Sequence, residues 1–506
     1  MILSKDGKVL VLLFIGAVLV LTLGLNSHGV EFRKDEVLYF KSTQEMVKSG
    51  DFLSPKFLGE NRFQKPILFY WLILVAYKFF GVSWFAVRLV AVVFGALCVL
   101  LTWVLAKELF DRKIANLSAV MLLSMPLFFW HAKCAVPDMP MNFFVILAIY
   151  SAFKFIQDPT GKKYFWLFFI SCAIGFMLKG FTAVILPFGV LMAYALWIHR
   201  AETLRKINFP RGLLVMAVII LPWFLYMAQV HGPEYTNHLW IAETKERILS
   251  PAPINIFVKV GSSLLRNTVV YFRALVIFFL PWSLLLIAAI PFAIGQIKQN
   301  EQNKKSWGLM FMWFLMVWGF FLPLYVTIDH YLLILSTPLA IVVSAFLFRQ
   351  AKSFYTPALI LALVMVGVHS LQTPLMAKAG LCTDIPLERL AKKVHQDCRG
   401  RCAIAIASPD LVENEWQLYF DQRIENLGTR SPLLTSVLIR QFGQQAAPQL
   451  YCLVLFKDYQ TYRAQFDDLR FKILQQDEIR RPGVLTYLKE RIVLLRRDIN
   501  VPNPSK

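Results

Sequence analysis

Long apolar runs recur along the chain, and short loops rich in Lys and Arg separate many of them. A bilayer core of about 30 Å accommodates a helix of roughly 20 residues, so these runs predict a helical protein that crosses a membrane many times. Basic loops stay on the cytoplasmic side, and their positions select the runs that cross. The first run is expected to be retained, because Thr22-Leu23-Gly24 is a poor cleavage site. The predicted spans are 9–25, 84–107, 114–131, 140–156, 164–178, 181–198, 212–229, 272–295, 308–326, 331–348 and 357–375.

The apolar segment Ile67 to Val82 does not fit this alternation. If it crossed the membrane, the basic loop at Arg112 and Lys113 would lie outside, and every later basic loop would be inverted. We therefore predict an interfacial or re-entrant helix whose aromatic residues lie at the level of the headgroups. The segments then predicted to share one external face are 26–83, 133–140, 230–271, 329–330 and everything after Leu375.

After Leu375 the sequence becomes charged and mixed, over a length that can form a modest core of its own. Pro386 to His395 has the pattern of an amphipathic helix, and Cys402 to Ser408 and Leu450 to Phe456 have the pattern of buried strands. We therefore predict two domains, a membrane domain of residues 1–375 and a small α/β domain of residues 376–506.

Four cysteines, Cys382, Cys398, Cys402 and Cys452, lie in the second domain. In an oxidising compartment they are expected to form one or two disulfides, and three pairings exist if all four are used. A zinc site that uses His395 with Cys398 and Cys402 is the weaker alternative, because the spacing matches no common zinc finger.

The net charge of +21 is larger than loop topology alone requires, in a chain with 57% hydrophobic residues. An anionic headgroup or a lipid-linked phosphate at the membrane surface is the expected partner of the external basic residues. The alternative is that these side chains extend to the headgroups without binding a ligand. Nucleic acid is excluded, because it does not reach the outer face of such a protein. The external basic residues are Arg33, Lys34, Lys65, Lys133, Lys179, Lys245, Arg247, Lys259, Arg266 and Arg273.

Asp35 and Glu36 form an adjacent carboxylate pair in the first external loop. Two carboxylates in a closing cleft shift each other's pKa, which makes the pair a candidate for proton transfer. The alternative is a solvated turn before a helix. Motifs for a cytosolic nucleotide, GxxxxGK[ST] and GxGxxG, are absent from the sequence, so a transferase working outside needs a donor that is already in the membrane.

Short motifs follow one another along the membrane region. They are Asp35-Glu36, Gln44-Glu45-Met46, Ser49-Gly50-Asp51, Lys65-Pro66, Tyr70-Trp71, Val136-Pro137-Asp138, Leu178-Lys179-Gly180, Leu221-Pro222-Trp223, Pro281-Trp282 and His330-Tyr331-Leu332-Leu333. Their order resembles that in the C-type glycosyltransferases that use polyprenyl-phosphate sugars. The resemblance is strongest to the bacterial aminoarabinose lipid A transferases and weaker to the protein O-mannosyltransferases.

The resemblance implies roles for the residues that carry it. Asp35 matches the catalytic carboxylate that accepts a proton from the acceptor hydroxyl while that oxygen displaces the polyprenyl phosphate with inversion. Glu36 would orient or polarise the site. Lys65 matches the lysine that contacts the donor phosphate; the alternative is an anchor for the interfacial helix.

Three further residues match family positions. Arg247 resembles the arginine of the long external segment, although a local pair with Glu243 is the alternative. Tyr331 resembles a hydrogen-bonding tyrosine, and Asp138 an acidic residue that faces the cavity, with a loop terminus as its alternative. His330 is expected to be a neighbour of the site.

Two departures concern a metal. Gln64 stands where the aminoarabinose transferases carry an acidic residue, and Thr244 stands where they often carry a histidine. A metal site built from those side chains would be lost here. The sequence thus identifies no metal ligands and no required cofactor, and it leaves a divalent metal and the identity of the sugar open.

The resemblance implies a C-type membrane fold of about 11–13 helices with its catalytic loop at 26–83, followed by the small periplasmic α/β domain. The expected activity is transfer of aminoarabinose or a related sugar from undecaprenyl phosphate to lipid A at the periplasmic face of a bacterial inner membrane. The alternatives are a protein O-glycosyltransferase and, from a different class, a flippase or transporter of lipid-linked sugars.

Overall fold

A computed structural model describes residues 4–26, 34–160, 162–205, 207–240, 256–325, 328–378, 384–397, 402–408, 424–429, 431–445, 447, 449–482 and 487–498. The contacts within the chain divide it into two compact units. The first contains residues 1–25, 46–56 and 61–371, and the second contains residues 26–45, 57–60 and 372–506.

The first unit is helical. Its helices are α1 (Lys5–Thr22), α3 (Leu68–Phe80), α4 (Trp84–Leu109), α5 (Arg112–Ser124), α6 (Pro126–His131), α7 (Asp138–Gln157), α8 (Lys162–Lys179), α9 (Thr182–Trp197), α10 (Ala201–Arg205), α11 (Phe209–Trp240), α12 (Ile256–Phe278), α13 (Leu286–Ile297), α14 (Glu301–Phe321), α15 (Ser336–Gln350) and α16 (Tyr355–Lys378). Short 3-10 helices cover Trp282–Leu285, Asp329–Leu335 and Lys352–Phe354. Helix α2 (Lys34–Ser49), the end of α16, and the hairpin of β1 (Lys56–Phe57) and β2 (Glu60–Asn61) contain residues of both units.

Within the described residues, five helices are long and apolar enough to cross a bilayer, and a bent pair would add a sixth. The five segments are Trp84–Leu109, Asp138–Gln157, Phe209–Leu239, Asp329–Gln350 and Lys352–Gln372. The other predicted spans are also helical, but they are shorter or carry charged residues. The chain is therefore a multi-pass membrane protein, as the apolar pattern predicted.

One predicted span, 272–295, is not a single straight helix. The helical axis turns by 111° between Ser263–Phe278 and Trp282–Ile297. Pro281 lies in this break, and a proline cannot donate the backbone hydrogen bond that would continue the helix. The apolar pattern identified the segment but not its bend.

Two buried cations hold the carboxyl-terminal end of α1. The Lys133 ammonium donates to the Leu23 carbonyl at 2.9 Å, and the Arg88 guanidinium donates to the Leu25 carbonyl at 3.0 Å. Carbonyls at this end of a helix lack partners within the helix, and the helix dipole favours positive charge there. Lys133, which the charge pattern grouped with external phosphate-binding candidates, thus has a structural contact.

The second unit contains the predicted small α/β module. Its elements are α17 (Asp384–Asp397), β3 (Cys402–Ile406), β4 (Glu425–Asn426), α18 (Pro432–Gly443), β5 (Gln449–Leu455), α19 (Phe456–Asp468), β6 (Lys472–Pro482) and β7 (Tyr487–Asp498). The sheet has the order β4-β3-β5-β7-β6, with β3 parallel to β4 and β5, and β7 antiparallel to β5 and β6. Alternate residues of β5 pack against α17 on one face and against α18 and α19 on the other. This explains the continuous apolar run, because both faces of the strand are covered.

The cysteines of this module do not all pair. Cys402 is disulfide-bonded, which agrees with the prediction, but Cys452 is a free and fully buried thiol. Cys402 packs with the core on one face of the sheet and Cys452 with the core on the other, so they cannot reach each other. The prediction that all four cysteines form two disulfides is therefore wrong. The disulfide at Cys402 also excludes the alternative of a zinc site that uses this residue. Cys382 and Cys398 lie outside the described residues.

Candidate active site

The polar centre of the first unit forms where two consecutive helices pack against each other. Asp138 is the first residue of α7 and Lys179 the last residue of α8, so antiparallel packing brings the two ends together. Each charge has the sign that its helix end favours. The Lys179 ammonium donates to Asp138 Oδ1, and the two side chains are only 11% and 9% exposed. Gly180, at a φ of 103°, then turns the chain away from α8.

Tyr331 contacts the same lysine from the 3-10 helix Asp329–Leu335. Lys179 Nζ lies 4.8 Å from the centre of the Tyr331 ring, a distance at which a cation is attracted to an aromatic face. The ring of Tyr331 also packs on Phe321 of α14, with ring centres 4.9 Å apart, and on His330, with ring centres 5.7 Å apart. Lys179 is thus held between a carboxylate and an aromatic ring.

Lys65 lies on a segment that is fastened to α11. The Trp223 indole donates to the Leu53 carbonyl at 3.0 Å, and Phe63 packs edge to face on Tyr235 with ring centres 5.3 Å apart. These contacts hold Leu53 and Phe63, the two ends of the segment that precedes Lys65, against α11. They also explain the tryptophan of the Leu221-Pro222-Trp223 motif, which has a positioning role.

A cavity of about 340 Å³ opens between these elements. Most of its wall is apolar and aromatic, whereas Lys65, Lys179 and Tyr331 supply cationic and hydroxyl groups. Cavities of this size and composition bind organic ligands and orient them through the few polar groups. The lining residues are Phe63, Gln64, Lys65, Pro66, Phe176, Lys179, Gly180, Phe181, Thr182, Ile185, Trp223, Phe224, Tyr235, Leu239, Phe320, Phe321, Leu324 and Tyr331.

A cluster of two histidines and one carboxylate adjoins this cavity. One atom of each of His131, Asp138 and His330 can be chosen so that all three lie within 4.8 Å of one another. The rings of His131 and His330 have centres 5.3 Å apart. His131 and Asp138 are buried, and the His330 side chain is 26% exposed.

The predicted site residues do not all meet in the first unit. Lys65 and Tyr331 line the cavity. Asp138 does not line it but accepts a hydrogen bond from Lys179, which does. Asp35 is exposed and Glu36 is buried in the first turn of α2, and both belong to the second unit. Arg247 lies outside the described residues.

Three residues of the site received no role from sequence. Lys179 appeared in a motif and among the external basic residues, but its pairing with Asp138 required the α7–α8 packing. His330 was expected to be only a neighbour. His131 ends the short helix α6, and a single histidine in an apolar sequence carries no signal of its own; only the fold brings it to His330.

The sequence of this chain is similar to those of known transferases. The sequence model of the family described as Dolichyl-phosphate-mannose-protein mannosyltransferase matches residues 9–242. Undecaprenyl phosphate-alpha-4-amino-4-deoxy-L-arabinose arabinosyl transferase 1 of Pseudomonas fluorescens is 32% identical over 336 residues, 65% of this chain and 58% of that protein. The transferase of this description from Pseudomonas paraeruginosa is 29% identical over 380 residues, 74% of this chain and 64% of that protein. The matches to the first relatives thus span about three fifths of their length.

The fold also matches a solved structure. ArnT from Cupriavidus metallidurans, crystallised with undecaprenyl phosphate, superimposes with a TM-score of 0.69 at 18% identity, over 97% of this chain and 98% of that one. At this identity the likeness concerns the fold. The fold class predicted from the sequence is therefore confirmed. The sequence matches confirm the resemblance to transferases that use polyprenyl-phosphate sugars.

Proposed function

From its similarity to the polyprenyl-phosphate-dependent C-type glycosyltransferases, we propose that this protein is an inverting glycosyltransferase that moves a sugar from undecaprenyl phosphate to lipid A. The observation that carries the proposal is the cavity of the first unit. Its aromatic wall suits a prenyl chain, and Lys65, Lys179 and Tyr331 suit the phosphate to which the chain is attached.

The reaction is accelerated by a cation near the leaving phosphate. As the bond between the anomeric carbon and the phosphate oxygen breaks, negative charge grows on the phosphate. A fixed ammonium in a largely apolar cavity stabilises that charge without having to reorganise. Lys179 is held by Asp138 and Tyr331, so its ammonium is in place before the donor binds. For Lys65, the contacts of Leu53 and Phe63 with α11 hold the preceding chain.

The reaction also asks for a base at the attacking hydroxyl. We assign this role to Asp35, with Glu36 beside it, because the first-loop motifs around this pair resemble those around the catalytic carboxylate of the related transferases. Asp35 is exposed, and a solvated carboxylate can take a proton from an acceptor that binds at its surface. The proton moves from the acceptor hydroxyl to Asp35 as that oxygen bonds to the sugar.

We place this chemistry at the periplasmic face of a bacterial inner membrane. The basic loops support the orientation through the positive-inside rule. The disulfide at Cys402 gives separate support, since disulfides persist in oxidising compartments such as the periplasm.

The first prediction concerns the acceptor. Deletion of the gene should remove one glycosyl substituent from part of the lipid A, and expression of the wild-type protein should restore it. Mass spectrometry of lipid A from the three strains measures this. Lipid A of unchanged mass in all three would exclude lipid A as the acceptor.

A protein acceptor is the second candidate, because the mannosyltransferase family matches residues 9–242. In that case the deletion strain should keep its lipid A mass and lose glycan from envelope proteins. Intact-mass analysis of envelope proteins from the same strains separates the two candidates. The matches to transferases favour either of them over a transporter.

The second prediction concerns the membrane side of α3. This helix has 13 residues and is therefore about 20 Å long, which is shorter than the bilayer core. Cysteines introduced by Gln64→Cys and Val82→Cys, at its two ends, should both react with a membrane-impermeant maleimide in intact spheroplasts. Lys163→Cys, in a predicted cytoplasmic loop, should react only after the membrane is permeabilised. Labelling of only one end of α3 would show that the helix crosses.

A further inference from the structure

The cluster of His131, Asp138 and His330 has the composition of a transition-metal site. Two imidazoles and one carboxylate are a common ligand set for zinc, with a fourth position left for water or substrate. Imidazole nitrogen disfavours Mg²⁺ and Ca²⁺, which prefer oxygen ligands. We propose that His131, Asp138 and His330 together bind one Zn²⁺ ion.

The hydrogen bond of His131 supports this assignment. His131 Nδ1 lies 2.8 Å from the Leu127 carbonyl oxygen. A carbonyl only accepts, so Nδ1 carries the hydrogen, and in the neutral ring Nε2 has the lone pair that a metal needs. In metal-bound histidines the N–H of the second ring nitrogen usually donates a hydrogen bond to a carbonyl or carboxylate in this way, which fixes the orientation of the ring.

His330 lies near two carboxylates. Its Nδ1 lies 3.6 Å from Asp329 Oδ1, and its Nε2 lies 3.9 Å from Asp138 Oδ1. Nδ1 of His131 is thus hydrogen-bonded, whereas Nδ1 of His330 is near a carboxylate but beyond hydrogen-bonding distance. Neighbouring ligand atoms in a tetrahedral zinc site lie about 3.4 Å apart, given zinc–ligand bonds of about 2.0–2.1 Å. A modest inward movement of these side chains produces that geometry.

There is also space beside the ligands. A small cavity has about 10 Å³ open to the centre of a water molecule, which is roughly the volume that one water needs. Its polar lining includes Asp138, Lys179 and His330, and much of the rest is apolar. A zinc ion could keep its fourth ligand there. This set is separate from the positions of Gln64 and Thr244, where the related transferases carry other side chains.

Lys179 is the charge that the metal must compete with, since its ammonium donates to Asp138 Oδ1. A carboxylate has two oxygens, so Asp138 can serve both the ammonium and the metal, but the two positive charges repel. Removing the ammonium should therefore strengthen zinc binding. A role of Asp138 as a ligand predicts that sign, and a role confined to the ion pair does not.

The third prediction is a stoichiometry. The full-length protein is purified in detergent through a tag without histidine, incubated with Zn²⁺, desalted and analysed by inductively coupled plasma mass spectrometry. The wild type should carry about one zinc per chain. His131→Gln and His330→Gln should each reduce zinc to background, whereas His199→Gln, which changes an exposed histidine, should not.

Two measurements keep the proposal testable if a histidine variant fails to fold. Wild-type protein loaded with Co²⁺ should show the visible absorption of tetrahedral cobalt, and Lys179→Met should bind zinc at least tenfold more tightly. The proposal would be overturned if the wild type carried no zinc or if a folded His131→Gln variant retained its zinc. It would also be overturned if Lys179→Met bound zinc with the affinity of the wild type. These measurements use neither donor nor acceptor, so their outcome is independent of the proposed glycosyl transfer.

Discussion

Asp35→Asn should lower the rate of sugar transfer by about 10²–10⁴-fold, the usual contribution of a positioned general base. The amide has nearly the shape of the carboxylate, but it cannot accept the proton of the acceptor hydroxyl. Because Asp35 is exposed in the first turn of α2, the change should leave expression and folding intact. The measurement is the rate of transfer from a purified undecaprenyl-phosphate sugar donor in detergent, with both substrates saturating.

The matched control for this variant is Asp468→Asn. Asp468 is also an exposed helical aspartate of the second unit, at the end of α19. The control should transfer at the wild-type rate and elute like the wild type in gel filtration. Near-normal transfer by Asp35→Asn would remove Asp35 from the mechanism, whereas equal losses in both variants would point to a general effect of lost charge.

Much of the helical architecture was predictable because each span is a local pattern. An apolar run of sufficient length predicts a helix wherever it occurs, and α1, α4, α7 and α8 all lie where such runs do. The same holds for β5, whose uninterrupted apolar residues predicted a buried strand. What the pattern could not supply was the direction of the chain at a break, as at Pro281.

The candidate site was predictable only where its residues lie in recognisable motifs. Lys65 and Tyr331 were identified in this way, and they line one cavity. The Asp138–Lys179 pair depends on two helix ends that are 41 residues apart in the sequence. His131 and His330 are farther apart still, and no local pattern links them. Such contacts follow from packing between helices, which a single sequence does not display.

The role of Asp138 illustrates the difference. Sequence assigned it to a cavity-facing acidic position or to a loop terminus. In the structure it begins α7, pairs with Lys179 and faces His330, so a single buried carboxylate has two charged or polar neighbours from other elements. Its neighbours, rather than its own motif, define its chemistry.

Lys65→Ala should lower the rate of transfer by about 10²–10³-fold, the loss expected when one preorganised group at a developing negative charge is removed. Lys65 lines the cavity immediately before α3, where its ammonium can contact the phosphate while the prenyl chain lies along the aromatic wall.

Lys78→Ala is the control for this variant, since Lys78 is an exposed lysine in the last turn of α3. It should retain nearly full activity, because loss of one surface charge changes only the diffuse attraction to the membrane. If the rate of transfer at saturating donor falls only slightly, and by the same factor, in both variants, Lys65 is an anchor for α3 and the donor phosphate binds elsewhere. A severe loss confined to Lys65→Ala, in a protein that still elutes as the wild type does, would place the leaving group at this end of the cavity.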